Sequence, residues 1–215
     1  MSVLLDNLDL FIRGFLGTIQ LFVIAAIGSL VVGGVLAAMR VSPVPFLRGA
    51  GMTYVNIVRN TPLTLVLFFF AFAWNRLDIV TLPFFALAAS GLIVYTAAFV
   101  CEVLRSGVNT VPVGQAEASR ALGLNFGLTL SQVVMPQALR AVVPPLVSVE
   151  IALLKNTTIA AGFSVVEAGS IIPSLSERGY NVLVGGLWVA LGFVILVVPL
   201  TLLQRYLERR WRVAR

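Results

Sequence analysis

Histidine does not occur in this chain, cysteine occurs once, at Cys101, and lysine once, at Lys155. Each absence removes a chemistry. Without histidine there is no Ser-His-Asp triad. With one cysteine there is no disulfide framework and no Cys/His metal centre. A phosphate-cradling P-loop needs a lysine just after a glycine cluster, but Lys155 follows Ala152-Leu153-Leu154. The carboxylates are scattered, with no close pair of the kind that shares acid–base work. Charge itself is scarce: 11% of residues, against roughly 25% in a soluble domain. What fills the space is apolar, 59% of the chain, and that makes it an integral membrane protein. Cys101 sits in an apolar run and reads as a packing residue. The net charge of +6 is distributed as an orientation signal, not as a nucleic-acid surface.

Five windows of about 20 apolar residues fit membrane spans. They run from about Phe15 to Met39, Tyr54 to Trp74, Leu82 to Leu104, Ala141 to Ala161 and Val184 to Leu203. Gly28, Gly33 and Gly34 offer small-residue helix contacts in the first. The expected fold is therefore all-α, a single transmembrane domain over residues 1–215, with no internal repeat. Residues 1–14 carry Asp6 and Asp9 and lack the basic start of a signal peptide. Their apolar residues recur at helical spacing, which fits an amphipathic helix at the interface or an extension of the first span. Arg40 and Arg48 follow the first span, Arg105, Arg120 and Arg140 lie between the third and fourth, and Arg205, Arg209, Arg210, Arg212 and Arg215 follow the fifth. The positive-inside rule places these in the cytoplasm and the N-terminus outside.

Between the third and fourth spans, residues 105–140 interrupt the apolar pattern. Gly114 can break a helix there, and Gln115 to Leu122 are good helix formers with a short apolar face at Ala118, Ala121 and Leu122. Gly123 fits a helix C-cap. Small Ala118 and Ser119 would admit a partner closely, and Glu117 offers an acceptor.

The spacing carries a resemblance. Glu117-Ala118-Ser119, then Gly123, then Val133-x-Met135-Pro136 resembles the cytoplasmic E-A-A, three residues, G, nine residues, I-x-L-P motif of ABC-importer permeases. Ser119, Val133 and Met135 are conservative departures from it. Val58-Arg59-Asn60-Thr61-Pro62-Leu63 is similar to the R-x-T-P-L signature of the polar amino-acid uptake permeases. Arg40-Val41-Ser42-Pro43 and Lys155-Asn156-Thr157-Thr158 look most like the glutamate-uptake permeases of Gram-positive bacteria. The resemblance implies a type I importer fold in a bacterial cytoplasmic membrane. In it, residues 105–140 hold a coupling helix that docks on an ATPase subunit through Glu117, Ala118, Ser119, Leu122, Gly123 and Pro136. That subunit would bind ATP and magnesium; this chain would hold no cofactor. An extracytoplasmic solute-binding protein is implied too. Five spans enclose a pathway poorly, so a second permease, identical or homologous, is expected. A stand-alone secondary transporter would instead show inverted repeats and carboxylate relays, and neither is evident.

Polar groups at membrane depth are the candidate pathway residues. Arg59 precedes Thr61 and helix-breaking Pro62, and reads either as pathway lining or a helix-end contact to substrate carboxylate, or as a snorkelling interfacial arginine. Glu102 and Arg105 are spaced for a local helix pair. Relatives carry a Glu-x-x-x-x-x-Lys-Asp-like pattern in the fourth span. Here Glu150 stands one position later, turned by about 100° on a helix. Asn156 replaces the relatives' Asp, beside Thr157. A neutral Asn does not repel a carboxylate, which disfavours cationic substrates and favours glutamate or glutamine.

Overall fold

The computed structural model describes residues 2–78 and 80–211, and every described element is helical. Arg212 and Arg215, counted above in the basic C-terminal group, lie outside the described residues. A short helix α1 (Ser2–Asp6) precedes α2 (Leu8–Val41). The expected segment 1–14 is thus divided, with residues from Leu8 onward continuous with the first span. At 1.5 Å per residue α2 is about 50 Å long, more than the ~30 Å hydrocarbon layer requires.

α3 (Pro45–Arg59) begins with proline, whose missing N–H costs nothing in a first turn. It ends at Asn60-Thr61-Pro62, where proline forces the preceding backbone out of the helical region. The Asn60 amide donates to the Asn56 carbonyl and the Thr61 hydroxyl to the Ile57 carbonyl, so the last turn's free acceptors are satisfied. α4 (Leu63–Phe68) then departs, and the Leu63–Leu77 rod it opens lies at 102° to α3. The span expected from about Tyr54 to Trp74 is therefore broken within its window, at the helix-breaking Pro62. The rod continues as a π-helical stretch, Phe69–Ala73, and a 3-10 turn, Trp74–Leu77.

α5 (Phe84–Asn109) is the central helix, with 56% of its most apolar stretch buried. It packs along α2 through small residues: Gly28 lies against Ile93, and Gly33 against Val100 and the Ala97 carbonyl. Gly34 faces open space. α6 (Val113–Ala121), α7 (Phe126–Leu128) and a π-helical stretch (Thr129–Val134) lead to α8 (Met135–Asn156). α8 crosses beside α5 and tightens into a 3-10 helix, Thr157–Phe163, which Ser164 stops with φ of 59°. α9 (Ile171–Glu177) ends at Gly179, whose φ of +76° a side chain would strain. α10 (Val182–Arg210) starts from Asn181, whose carboxamide oxygen accepts the Leu183 and Val184 amides. Only 11% of its apolar stretch is buried, leaving the rest for lipid or a partner.

The helices sort their ends by charge. Arg40 of α2 reaches Glu102 of α5, and Arg105 lines a groove with Met135 and Leu139 of α8. Arg140 of α8 shares a cleft with Glu208 and Trp211. One end of the bundle therefore gathers the arginines. At the other end, Glu167 is fully buried against α2. Its Oε2 accepts the Thr18 hydroxyl at 3.2 Å, and the Thr18 oxygen accepts the Ala168 amide at 3.0 Å. Gly14 and Gly17 admit this connector: a Cβ at Gly17 would overlap the Val166 carbonyl oxygen.

Candidate functional site

Two features occupy the arginine-rich end: a helix that projects from the bundle and a cluster of guanidiniums around one carboxylate. The projecting helix is α6. It starts after Pro112, with Gly114 inside its first turn, so Gly114 does not break the helix as expected. Gly123 ends it with φ of +87°. The Gly123 amide donates to the Arg120 carbonyl and the Leu124 amide to the Ser119 carbonyl, a Schellman closure that needs the left-handed residue at that point. Glu117 and Ala118 are exposed, and so is Leu122, at 84%. Val113 and Phe126, each 72% exposed, widen the apolar surface. Outside a bilayer, side chains like these need a protein cover.

Ser119 is the exception. It is buried, its hydroxyl donates to the Ala116 carbonyl, and it pairs with the Thr129 hydroxyl at 3.1 Å. The expected close approach of Ser119 to a partner is corrected: the residue faces inward and fastens α6 to the stretch leading into α8. Pro136 is exposed in the first turn of α8.

Glu102 is the hub of the second feature. Its Oε2 accepts Arg40 and its Oε1 accepts Arg105, the expected i,i+3 partner. Arg59 stands 3.7 Å from the same Oε2 and over the Phe99 ring, 5.5 Å from its centroid. One carboxylate thus joins α2, α3 and α5.

Above the cluster, Tyr95, Thr96 and Phe99 of α5 and Val149, Ala152, Leu153 and Asn156 of α8 enclose a cavity of about 170 Å³. On α8 these positions recur at helical spacing and make one face. Glu150 is off that face. Both of its oxygens are enclosed with no hydrogen-bond partner among the described residues. Thr157 is fully buried, and its hydroxyl donates to the Leu154 carbonyl.

Comparison with known proteins adds the family. Residues 29–213 match the model of the binding-protein-dependent transport system inner membrane component. The chain belongs to that family. The permease is 47% identical over 197 residues to the glutamate transport system permease protein GluC of Corynebacterium efficiens, covering 86% of each chain. It is 34% identical to a probable glutamine ABC transporter permease protein, GlnM, of Bacillus subtilis, over 97% of this chain and 96% of that one. Its fold matches the crystal structure of an amino acid ABC transporter with histidines at a TM-score of 0.90, with 24% identity and 96% of both chains covered. An inward-facing MetNI methionine ABC transporter matches at 0.77, with 22% identity, over 97% and 99% of the two chains. The permease is thus a non-catalytic, multi-pass component of the cytoplasmic membrane.

Of the residues singled out from sequence, the structure gathers Glu117, Ala118, Leu122 and Gly123 on one exposed helix. It also sets Asn156 in the cavity and Arg59 beside one of that cavity's aromatic walls. Thr61 and Pro62 form the break after α3 and are not in the cavity wall. Glu150 and Thr157 do not line this cavity: Glu150 stands off that face of α8, and the Thr157 hydroxyl donates to the Leu154 carbonyl. Sequence reasoning missed Arg40 as a partner of Glu102, 62 positions away, and missed Phe99 and Tyr95 as cavity walls.

Proposed function

We propose that the permease forms one half of the membrane pathway of an ATP-driven importer of glutamate. The observation that carries the substrate is the high identity to the corynebacterial glutamate permeases across most of the chain. The neutral Asn156 in the cavity, with Arg59 nearby, supports a substrate that brings a carboxylate. Glutamine is the second reading, favoured by the same neutral Asn156.

In this reading α6 seats in a separate ATPase subunit through Glu117, Ala118 and Leu122. That subunit binds ATP and magnesium and hydrolyses the nucleotide. Its closure moves α6, and the Ser119–Thr129 pairing passes the displacement to α8, whose far half walls the cavity. Access then alternates between the two sides. A second permease, identical or homologous, completes the pathway, and the exposed apolar sides of the bundle suit that partner and lipid. A solute-binding protein delivers substrate on the side opposite the arginines, which the positive-inside rule makes extracytoplasmic.

The test is reconstitution. Proteoliposomes holding the permease, its partner permease and the ATPase should take up radiolabelled glutamate only with internal ATP and the solute-binding protein. Competition by excess unlabelled glutamate, and not by lysine, completes the expected result. Uptake that persists without ATP overturns the proposal.

A further inference from the structure

The Glu102 cluster is unbalanced in both charge and geometry. Arg40, Arg59 and Arg105 surround one carboxylate, leaving two positive charges uncompensated among them. Arg40 and Arg105 occupy one oxygen each. Arg59, at 3.7 Å, is beyond hydrogen-bond distance, so its planar fork of donors has no carboxylate oxygen of its own. Its side chain is 42% exposed, against 10% for Arg40. It ends α3 immediately before the Asn60-Thr61-Pro62 break, where the chain changes direction by 102°. It also stands on Phe99, and the cavity that holds Asn156 uses that ring as a wall. Down α5, Tyr95, Phe99 and Glu102 follow one another a helical turn apart, leading from the cavity to the cluster.

We infer that Arg59 is the exchangeable arginine of this cluster: it leaves Glu102 to pair with the side-chain carboxylate of a passing acidic amino acid, and so selects anionic substrates at the arginine-rich mouth of the cavity. This rests on the amino-acid import reading and deepens it. Arg40 and Arg105 hold Glu102 in place while Arg59 moves, so the exchange leaves no bare carboxylate behind. A substrate carboxylate can accept two parallel hydrogen bonds from Arg59, which Glu102, already accepting from Arg40 and Arg105, does not. Nothing covalent changes; one ion pair replaces another. Arg59 is a specificity-determining residue in this scheme, and Glu102 is its resting partner.

The experiment uses the full complex in proteoliposomes and reads two rates, glutamate uptake and ATP hydrolysis stimulated by the binding protein. Arg59→Gln should lower glutamate uptake per ATP hydrolysed by about tenfold or more, while stimulated hydrolysis stays within about twofold of the parent. Arg59→Lys, which keeps the charge and loses the fork, should fall between the two, about threefold to tenfold below the parent. It stands as the decisive variant should Arg59→Gln fail to assemble. Unchanged uptake per ATP in either variant, or a parallel loss of uptake and hydrolysis, overturns the role of Arg59. A parent complex that hydrolyses ATP and takes up no glutamate defeats the import reading instead, independently of Arg59.

Discussion

The first long helix, α2, is held at its two ends by glutamates of opposite kinds. At the arginine-rich end, Glu102 is partly exposed and shared among three guanidiniums. At the far end, Glu167 is fully buried, and among the described residues its Oε2 accepts the Thr18 hydroxyl while its Oε1 has no partner. The first arrangement has spare charge and spare donors, so its partners can be traded without stranding a group. The second sits where glycines let backbone touch backbone, and moving it would expose unpaired groups and open a void. The difference divides the molecule into an end that can rearrange and an end that serves as a fixed support. That division suits the proposed pathway, in which access changes at the end proposed to meet the ATPase.

The largest expected effect tests the fixed end. A Cβ at Gly17 would strike the Val166 carbonyl oxygen, with rigid backbone on both sides and no flexible side chain to yield. Gly17→Ala should therefore destabilise the permease by about 3 kcal/mol or more, at the upper side of the overpacking range. A thermal melt in detergent reads it, and an unchanged midpoint would mean that this contact can slide. Gly34→Ala is the control, because nothing lies within 4 Å of that position, and it should melt with the parent.

Next in size is Glu102→Ala, which strips the carboxylate from three arginines. Breaking a buried pair costs roughly 3–5 kcal/mol; with this site partly open to solvent, about 1–3 kcal/mol is expected. High salt should narrow the difference from the parent at this end and leave Gly17→Ala unaffected. Equal salt responses in the two variants would erase the distinction between the ends.

Gly123→Val probes α6, the helix proposed to dock on the ATPase, at comparable cost. The left-handed φ of +87° is strained for a β-branched residue by about 1–2 kcal/mol, and the Schellman closure of α6 depends on it. Membrane insertion should survive while co-purification with the ATPase and transport are lost. Gly123→Asn, which tolerates that conformation better, should retain more of both.

The legibility of these features followed sequence distance. Four of the five spans, most of α6 and its Gly123 stop were readable, because apolar run length and local capping are written in neighbouring residues. The Glu102–Arg105 pair was readable for the same reason. Arg40 was not, since nothing local says which of several arginines folds onto Glu102. Ser119 misled: on an isolated helix a small residue beside Ala118 looks like contact surface, and only the return of Thr129 shows that it faces inward. The Thr157 bond to Leu154 was not legible either, because a hydroxyl at membrane depth can serve either a pathway or its own helix end. Glu167 carried no signal, since a lone carboxylate between two apolar segments looks like an exposed loop residue until α2 covers it.

The smallest expected effect separates the two glutamates by pH. Burial pushes the Glu167 carboxyl above its ordinary value, and the hydrogen bond from Thr18 only partly opposes this. A carboxyl raised in the folded state binds its proton more tightly there than in the unfolded chain. Its contribution is complete below the unfolded value near 4.3 and is lost as pH rises through the higher folded value. The parent should therefore lose stability relative to Glu167→Gln on going from about pH 4 to about pH 8, by about 1 kcal/mol for each unit of upward shift. The neutral amide keeps an acceptor for Thr18 and nearly the same shape, so the two proteins should melt together at the acid end. The thermal midpoint of each, followed across that range, gives the answer. A difference that is flat with pH would mean that Glu167 titrates alike in the folded and unfolded chains, and that burial at this end of α2 does not disfavour its charge.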